Sequence, residues 1–392
     1  MADKANITPK LLKWARESAR MSVETASAKV SVSIEKFKEW ENGTNQPTIR
    51  QAQTLAKAYR RPFALLFLPE IPRDFQPLQD FRRKNSIDLG TSSIFIIREI
   101  QQKQSWISEV NEENNEAKIS FVGRFSIADN PIKVAEDILK TLEIIPSSYN
   151  TDNPIREWIN NAELNGIFIS RTSFIHSRLK LNSDEMQGFA IADPYAPFVF
   201  INSEDWNAPQ LFTLVHELAH IWIAETGISN EIEPNLKNKD KSHPVELFCN
   251  EVAANALIPY EFISNIDQGT FKSIKEVFKI SKNLGISSFA FLVRALNLNI
   301  INHDVYRNLK HEADVQYKEF LKREAEKVSK QKNKDKKGGP SPYLLKLNKN
   351  SRLFTQIVLD AFRGGSVEPT QASVLLNTPV NKFSSLEAQL YK

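Results

Sequence analysis

Leu211-Phe212-Thr213-Leu214-Val215-His216-Glu217-Leu218-Ala219-His220 is the stretch on which the reading of this chain turns. His-Glu-x-x-His carries meaning on a helix, where residues four apart stand one above the other. The flanks predict that helix over Ala208–Ala224. Asn207 is placed to cap it, Pro209 sits in its first turn, and Phe212, Val215, Ala219 and Trp222 make an apolar stripe at helical spacing. On such a helix His216 and His220 point the same way and can share one metal ion. Two imidazoles are too few for a catalytic zinc site, which usually has three protein ligands and water in the fourth position.

The third ligand is sought downstream. A second helical pattern, Val245–Leu257, follows a polar loop and carries Glu246, with Asn250 one turn later on the same face. Glu246 is the preferred third ligand, and Asn250 is placed to hold one of the ligands in position. His243, Glu251 and Glu225 compete for the same role. Cys249 is a further candidate, though it lies on another face of the helix. Glu217 is the expected general base, taking a proton from the attacking water and passing it to a leaving amine. Tyr260, His243, Tyr195 and Arg178 are candidates for stabilising an oxyanion by residue type alone. Zinc is the expected metal, although two histidines and a carboxylate also suit manganese and iron.

Outward from this core the pattern changes twice. Between Gly166 and Ile201 three β-rich runs appear: Gly166–Ser170, Gln187–Ala192 and Pro197–Asn202. The last is read either as a strand that pairs with an extended substrate or as one buried in the sheet. Toward the N-terminus short helices are expected over Leu11–Arg20, Val23–Lys29, Ile34–Glu41 and Ile49–Tyr59. Ser33 caps the third and Asn42-Gly43 closes it. A polar turn before the third helix suggests a helix-turn-helix, in which that helix enters the DNA major groove. Its outward residues Ser33, Lys36 and Lys38 are the candidate DNA contacts, but Glu35 and Glu39 share the face. Residues 1–72 hold twelve basic and seven acidic residues, a modest excess. A proline-bearing linker follows, leading into Asp80-Phe81-Arg82-Arg83. Helical patterns return at 91–115 and 131–143, and again after the second metal-site helix. The lysine-dense stretch Lys322–Lys337 reads as a solvated helix end running into a linker, with a nucleic-acid contact as the alternative.

Composition bounds the rest. The chain has 392 residues, 41% of them hydrophobic and 25% charged, with a net charge of +4. A length of roughly 100–200 residues per domain gives several domains. The longest clean apolar run, Pro62–Pro69, is far short of the ~20 residues of a membrane span, so no membrane partner is expected. There is no apolar segment of the secretory kind near Met1. Cys249 is the single cysteine, which excludes an intrachain disulfide and fits a reducing, cytoplasmic setting.

These strings resemble known families. Residues 7–72 resemble the Xre/Cro-type helix-turn-helix through Trp40-Glu41-Asn42-Gly43, Gln46-Pro47-Thr48 and Arg61-Pro62. Residues from about 130 to 260 resemble the ImmA/IrrE zinc metallopeptidases through Gln187-Gly188-Phe189-Ala190, Pro197–Asn202, Phe212–His220, Glu246–Ala254 and Leu257-Ile258-Pro259. The resemblance implies an α+β multidomain chain. Its parts are an all-α helix-turn-helix module (1–72), a linker and helical segment (73–130), a zincin-like peptidase domain with a small β-sheet (131–300), and a basic linker with a helical C-terminal extension (301–392). It implies His216, His220 and Glu246 as zinc ligands and Glu217 as catalytic base. It also implies a substrate, a helix-turn-helix transcriptional repressor whose cleavage lifts repression in a mobile element or a stress response. Double-stranded DNA is a further expected partner. The alternatives are a DNA-binding regulator with a zinc sensor domain, or the toxin of a toxin–antitoxin pair. The sequence does not give the oligomeric state.

Overall fold

The computed structural model describes residues 3–72, 78–81, 87–149, 153–176, 179–229, 243–331 and 340–392. Its secondary structure is α+β: helices at both ends and a small mixed sheet between them. Two compact units are present. The first comprises residues 1–77, 87–102 and 174–181; the second comprises 78–86, 103–173 and 182–392.

The first unit is built on four helices: α1 (Pro9–Ser18), α2 (Val23–Lys29), α3 (Ile34–Asn42) and α4 (Ile49–Ala58). The first lies two residues upstream of its expected span. Pro9 starts it, and Arg20 turns out of the helix at φ 50°. Ser22, Ser33 and Thr48 cap the next three through their side chains. Thr48 and Gln51 form a reciprocal capping box. Leu11, Leu12, Ala15, Phe37, Trp40, Leu55 and Tyr59 fill the core. At its margin Arg16 Nε donates to Glu41 Oε1 at 2.7 Å, with both side chains almost wholly covered. The first half of α5 (Thr91–Glu113) and a hairpin of β3 (Phe174–His176) and β4 (Leu179–Lys180) also belong to this unit.

The second unit surrounds a five-stranded sheet. Its strands are β1 (Gln79–Asp80), β2 (Phe168–Thr172), β5 (Gly188–Ile191), β6 (Phe198–Asn202) and β7 (Gly227–Ser229), in the order β1-β7-β5-β6-β2. β5 runs antiparallel to both neighbours, with Phe189 opposite Phe200 on one side and Ile228 on the other. The outer pairs, β2 with β6 and β1 with β7, are parallel. Residues of β5 and β6 are buried throughout, which explains their unbroken apolar runs. β6 is therefore an interior strand with partners on both sides. Its ladder groups are already used, so it is not the strand that pairs with a substrate.

Helices cover the sheet: α6 (Pro131–Thr141), α7 (Pro154–Leu164), α8 (Asn207–Trp222) and α9 (Pro244–Leu257) form the central layer. α8 lies against β5 and β6, and α9 packs on α6 and α8. Beyond them come α10 (Tyr260–Ser264), α11 (Ile274–Leu284), α12 (Ser288–Asn297), α13 (His303–Gln331), α14 (Pro342–Asn350), α15 (Arg352–Arg363), α16 (Pro369–Leu375) and α17 (Phe383–Leu390). α14 and α15 lie on β2, the far edge of the sheet. Residues 332–339, which include the end of the lysine-dense stretch, lie outside the described residues. Among the described residues no helix is long and apolar enough to cross a membrane.

Candidate metal centre

α8 begins one residue earlier than its sequence suggests. Asn207 is already helical and Trp206 occupies the cap position without a side-chain cap bond. The helix is buried almost along its whole length, and its far end is pinned where Trp222 Nε1 donates to Asp137 Oδ2 at 2.7 Å. Arg124 Nη1 donates to both carboxylate oxygens of the same Asp137 at 2.8 Å. This fixes α8 against α6, and α9 packs on both.

That packing brings three donors together. His216 and His220 of α8 present their Nε2 atoms 3.1 Å apart. From α9, Glu246 Oε2 lies 3.3 Å from His216 Nε2, and Glu246 Oε1 lies 3.2 Å from His220 Nε2. The three donor atoms fall within 4.8 Å of one another, and all three residues are buried. His216 Nδ1 lies 3.0 Å from Asn250 Oδ1. An amide oxygen can only accept, so this contact places the proton of the neutral ring on Nδ1 and leaves the Nε2 lone pair facing the other donors.

The charges suit a cation. Burial alone would raise the Glu246 carboxyl, but the hydrogen bonds and the positive charge that His216 and His220 supply when protonated outweigh it and hold it at about 2. Glu246 is thus an anion lodged between two imidazoles. Burial pulls His220 down toward the neutral ring that a metal needs. Two imidazole nitrogens and one carboxylate oxygen are a donor set for a divalent metal such as zinc. The residues therefore fit the group.

Glu217 sits beside them and is fully buried. Neither of its carboxylate oxygens has a hydrogen-bond partner among the described residues. Burial, and next the charge of Glu246, push its pKa well above the ordinary carboxylate value, while the nearby Ser229 hydroxyl pulls the other way. A buried carboxylate with raised proton affinity and two open oxygens is equipped to take a proton. Gly188 of β5 makes room for it: a Cβ there would lie 2.8 Å from Glu217 Oε1 and 3.0 Å from the Phe200 carbonyl.

The other expected residues fall elsewhere. His243 caps α9, its Nδ1 accepting from Val245 N at 3.3 Å. Cys249 is buried, and burial raises its thiol. Neither residue joins the trio of donors, and Glu225 and Glu251 also stay outside it. Tyr260 is exposed. Tyr195 faces the Lys118 ammonium, 5.5 Å from its ring centre. Arg178 lies outside the described residues. In the first unit Ser33 caps α3 through Lys36 N, and Lys36 and Lys38 are exposed beside Glu35 and Glu39.

Two residues at the centre, one of them in the Asp80-Phe81-Arg82 string, are not among the expected site residues. Ser229 is fully buried on β7 and donates to Glu246 Oε1 at 3.1 Å. Phe81 stacks on the His220 ring, with centroids 5.4 Å apart and planes at 15°. A lone serine at the edge of a polar loop and a phenylalanine in a linker are indistinguishable from filler until the sheet order is known.

No curated protein matches the chain. Residues 166–296, about a third of its length, match the M78 peptidase family, described as the IrrE N-terminal-like domain, and this central segment is similar to a metallopeptidase of that kind.

Proposed function

We propose that the chain is a zinc-dependent, site-specific endopeptidase acting on a helix-turn-helix transcriptional repressor in the cytoplasm. The observation that carries this reading is the buried His216–His220–Glu246 trio with the Glu217 carboxylate beside it, which has no hydrogen-bond partner among the described residues. His216, His220 and Glu246 hold the ion, and Asn250 orients His216. A bound zinc ion supplies the Lewis acidity that makes water nucleophilic near neutral pH. Glu217 accepts the proton released as water adds to the scissile carbonyl, then delivers it to the departing amine. A purely structural site has no use for such a carboxylate at this position. The match over residues 166–296 supports the peptidase reading. The repressor as substrate rests on the sequence resemblance.

A compatible role belongs to the N-terminal module. The mixed face of α3, with Ser33, Lys36 and Lys38 beside two glutamates, suits docking on the repressor or on double-stranded DNA.

The test is incubation of the zinc-loaded chain with the repressor encoded beside its gene, fragments being read by mass spectrometry. A single cut that disappears in Glu217→Gln, with zinc content unchanged, is expected. Equal cleavage by Glu217→Gln would overturn the reading.

A further inference from the structure

The metal centre is closed. His216, Glu217 and His220 have no exposed surface and Glu246 is 3% exposed. A peptide bond cannot reach these donors unless something moves. α8, α9 and β7 carry the residues of the centre and belong to the core of the unit. β1 carries none of them, and it is the edge strand beside β7.

This edge strand comes from the linker. Gln79 and Asp80 pair with Gly227 and Ile228 of β7, and Phe81 N donates to the Ile228 carbonyl at 3.2 Å. The next residue but one along β7 from Gly227 is Ser229, which bonds Glu246. Phe81 is 2% exposed and stacks on His220; its ring centre also lies 5.0 Å from that of His243. The ring occupies space that Gly227 leaves by lacking a side chain. A Cβ at Gly227 would lie 2.2 Å from the Phe81 ring and 2.9 Å from the Gln79 carbonyl. The three atoms nearest to that absent Cβ all belong to Gln79 and Phe81.

We propose that Leu78–Phe81 is an autoinhibitory strap: it fills the edge of β7, lays Phe81 over the metal ligand His220, and must leave before an extended substrate segment can pair with β7. This rests on the metallopeptidase reading above. A short edge strand held by few backbone bonds is the sort of element that opens at low cost while the core stays folded. Main-chain pairing by the incoming segment replaces the bonds that the strap gives up.

The test needs no substrate. Zinc is bound to, and withdrawn from, the full chain, and association and release rates are followed with the chromophoric chelator 4-(2-pyridylazo)resorcinol. Phe81→Ala removes the cover, and Gly227→Ala expels it from the opposite side. Both are expected to speed association and release together, by about tenfold or more, as a local opening becomes more populated. Zinc affinity should then stay nearly constant, and the double variant should be no faster than the faster single one. Phe81→Leu, which refills the space, should stay near the native rates; it also keeps the question open to measurement if Phe81→Ala fails to fold. Unchanged rates in both Phe81→Ala and Gly227→Ala overturn the proposal. So does weaker zinc affinity with an unchanged association rate, which would make Phe81 a positioning residue for His220. Faster zinc exchange without cleavage of any repressor would refute the peptidase reading and leave the strap standing. Glu217-dependent cleavage with unchanged exchange would do the reverse.

Discussion

Asn250 Oδ1 lies 3.0 Å from His216 Nδ1, one helix holding the imidazole of another by its far nitrogen. The contact sets which nitrogen of His216 carries the proton, and so which lone pair faces His220 and Glu246. Removing such an outer partner typically costs about 10–100-fold in metal affinity. Asn250→Ala should weaken zinc binding by about that factor in a chelator competition titration. Asn250→Asp retains an oxygen acceptor and should recover most of the affinity.

Gly188 approaches Glu217 so closely that its missing side chain is a requirement. An added Cβ would meet Glu217 Oε1 at 2.8 Å, Thr213 Cγ2 at 2.9 Å and the Phe200 carbonyl at 3.0 Å. The carboxylate can swing away, but the backbone carbonyl of β6 cannot. Gly188→Ala should destabilise the second unit by about 1–3 kcal/mol, the usual range for overpacking. It should also displace Glu217. Cleavage should therefore fall by much more than the loss of folded protein measured by circular dichroism accounts for.

The buried trio of His216, His220 and Glu246 is foreshadowed in the sequence because its members sit on two helices, and helical spacing is local. His216 and His220 are four residues apart, and Glu246 leads a second apolar helix, so periodicity alone places them on usable faces. Ser229 and Phe81 reach the centre through β7 and β1. Pairing of those strands spans more than a hundred residues of sequence, and no local pattern encodes it. The same limit explains β6: its apolar run signals burial, but only the sheet order shows partners on both sides. The cap of α8 falls on Trp206 and not on Asn207 for a different reason. Asparagine favours both cap positions and turns, and it does not reveal that the helix starts at its own backbone rather than after it.

Within the first unit, Arg16 and Glu41 form a bidentate pair, with Arg16 Nη2 also donating to Glu41 Oε2 at 3.0 Å. The side chains are 10% and 6% exposed. Hydrogen bonding to Glu41 raises the guanidinium pKa. Breaking a buried pair strands a charge, at a cost of about 3–5 kcal/mol. Arg16→Met should lower the stability of the first unit by that order in urea unfolding. Arg16→Met combined with Glu41→Leu should regain most of the loss, because no unpaired charge remains.

Glu163 ties α7 to the C-terminal helices, and its titration makes their stability depend on pH. Its Oε1 accepts from Ser351 Oγ at 2.6 Å and from Arg352 N at 2.9 Å. Burial nonetheless raises its pKa from the ordinary 4.5 to about 7, with the Ser351 hydroxyl and the backbone N–H groups of Leu353 and Arg352 opposing the shift. In the unfolded chain the group loses its proton near 4.5; in the folded chain it keeps the proton until about 7. Between these values the folded state binds more protons, so stability declines as pH rises through the window and is flat above it. The full effect is on the order of 3 kcal/mol. Glu163→Gln keeps an acceptor oxygen for Ser351 and Arg352 but cannot ionise. Its urea midpoint should match or exceed the native one at pH 8, where the native chain holds a buried carboxylate anion. At pH 5, where the native carboxyl is already neutral, the variant should gain nothing. A native midpoint that stays level from pH 5 to pH 8 would show that Glu163 ionises in the folded state as it does in water.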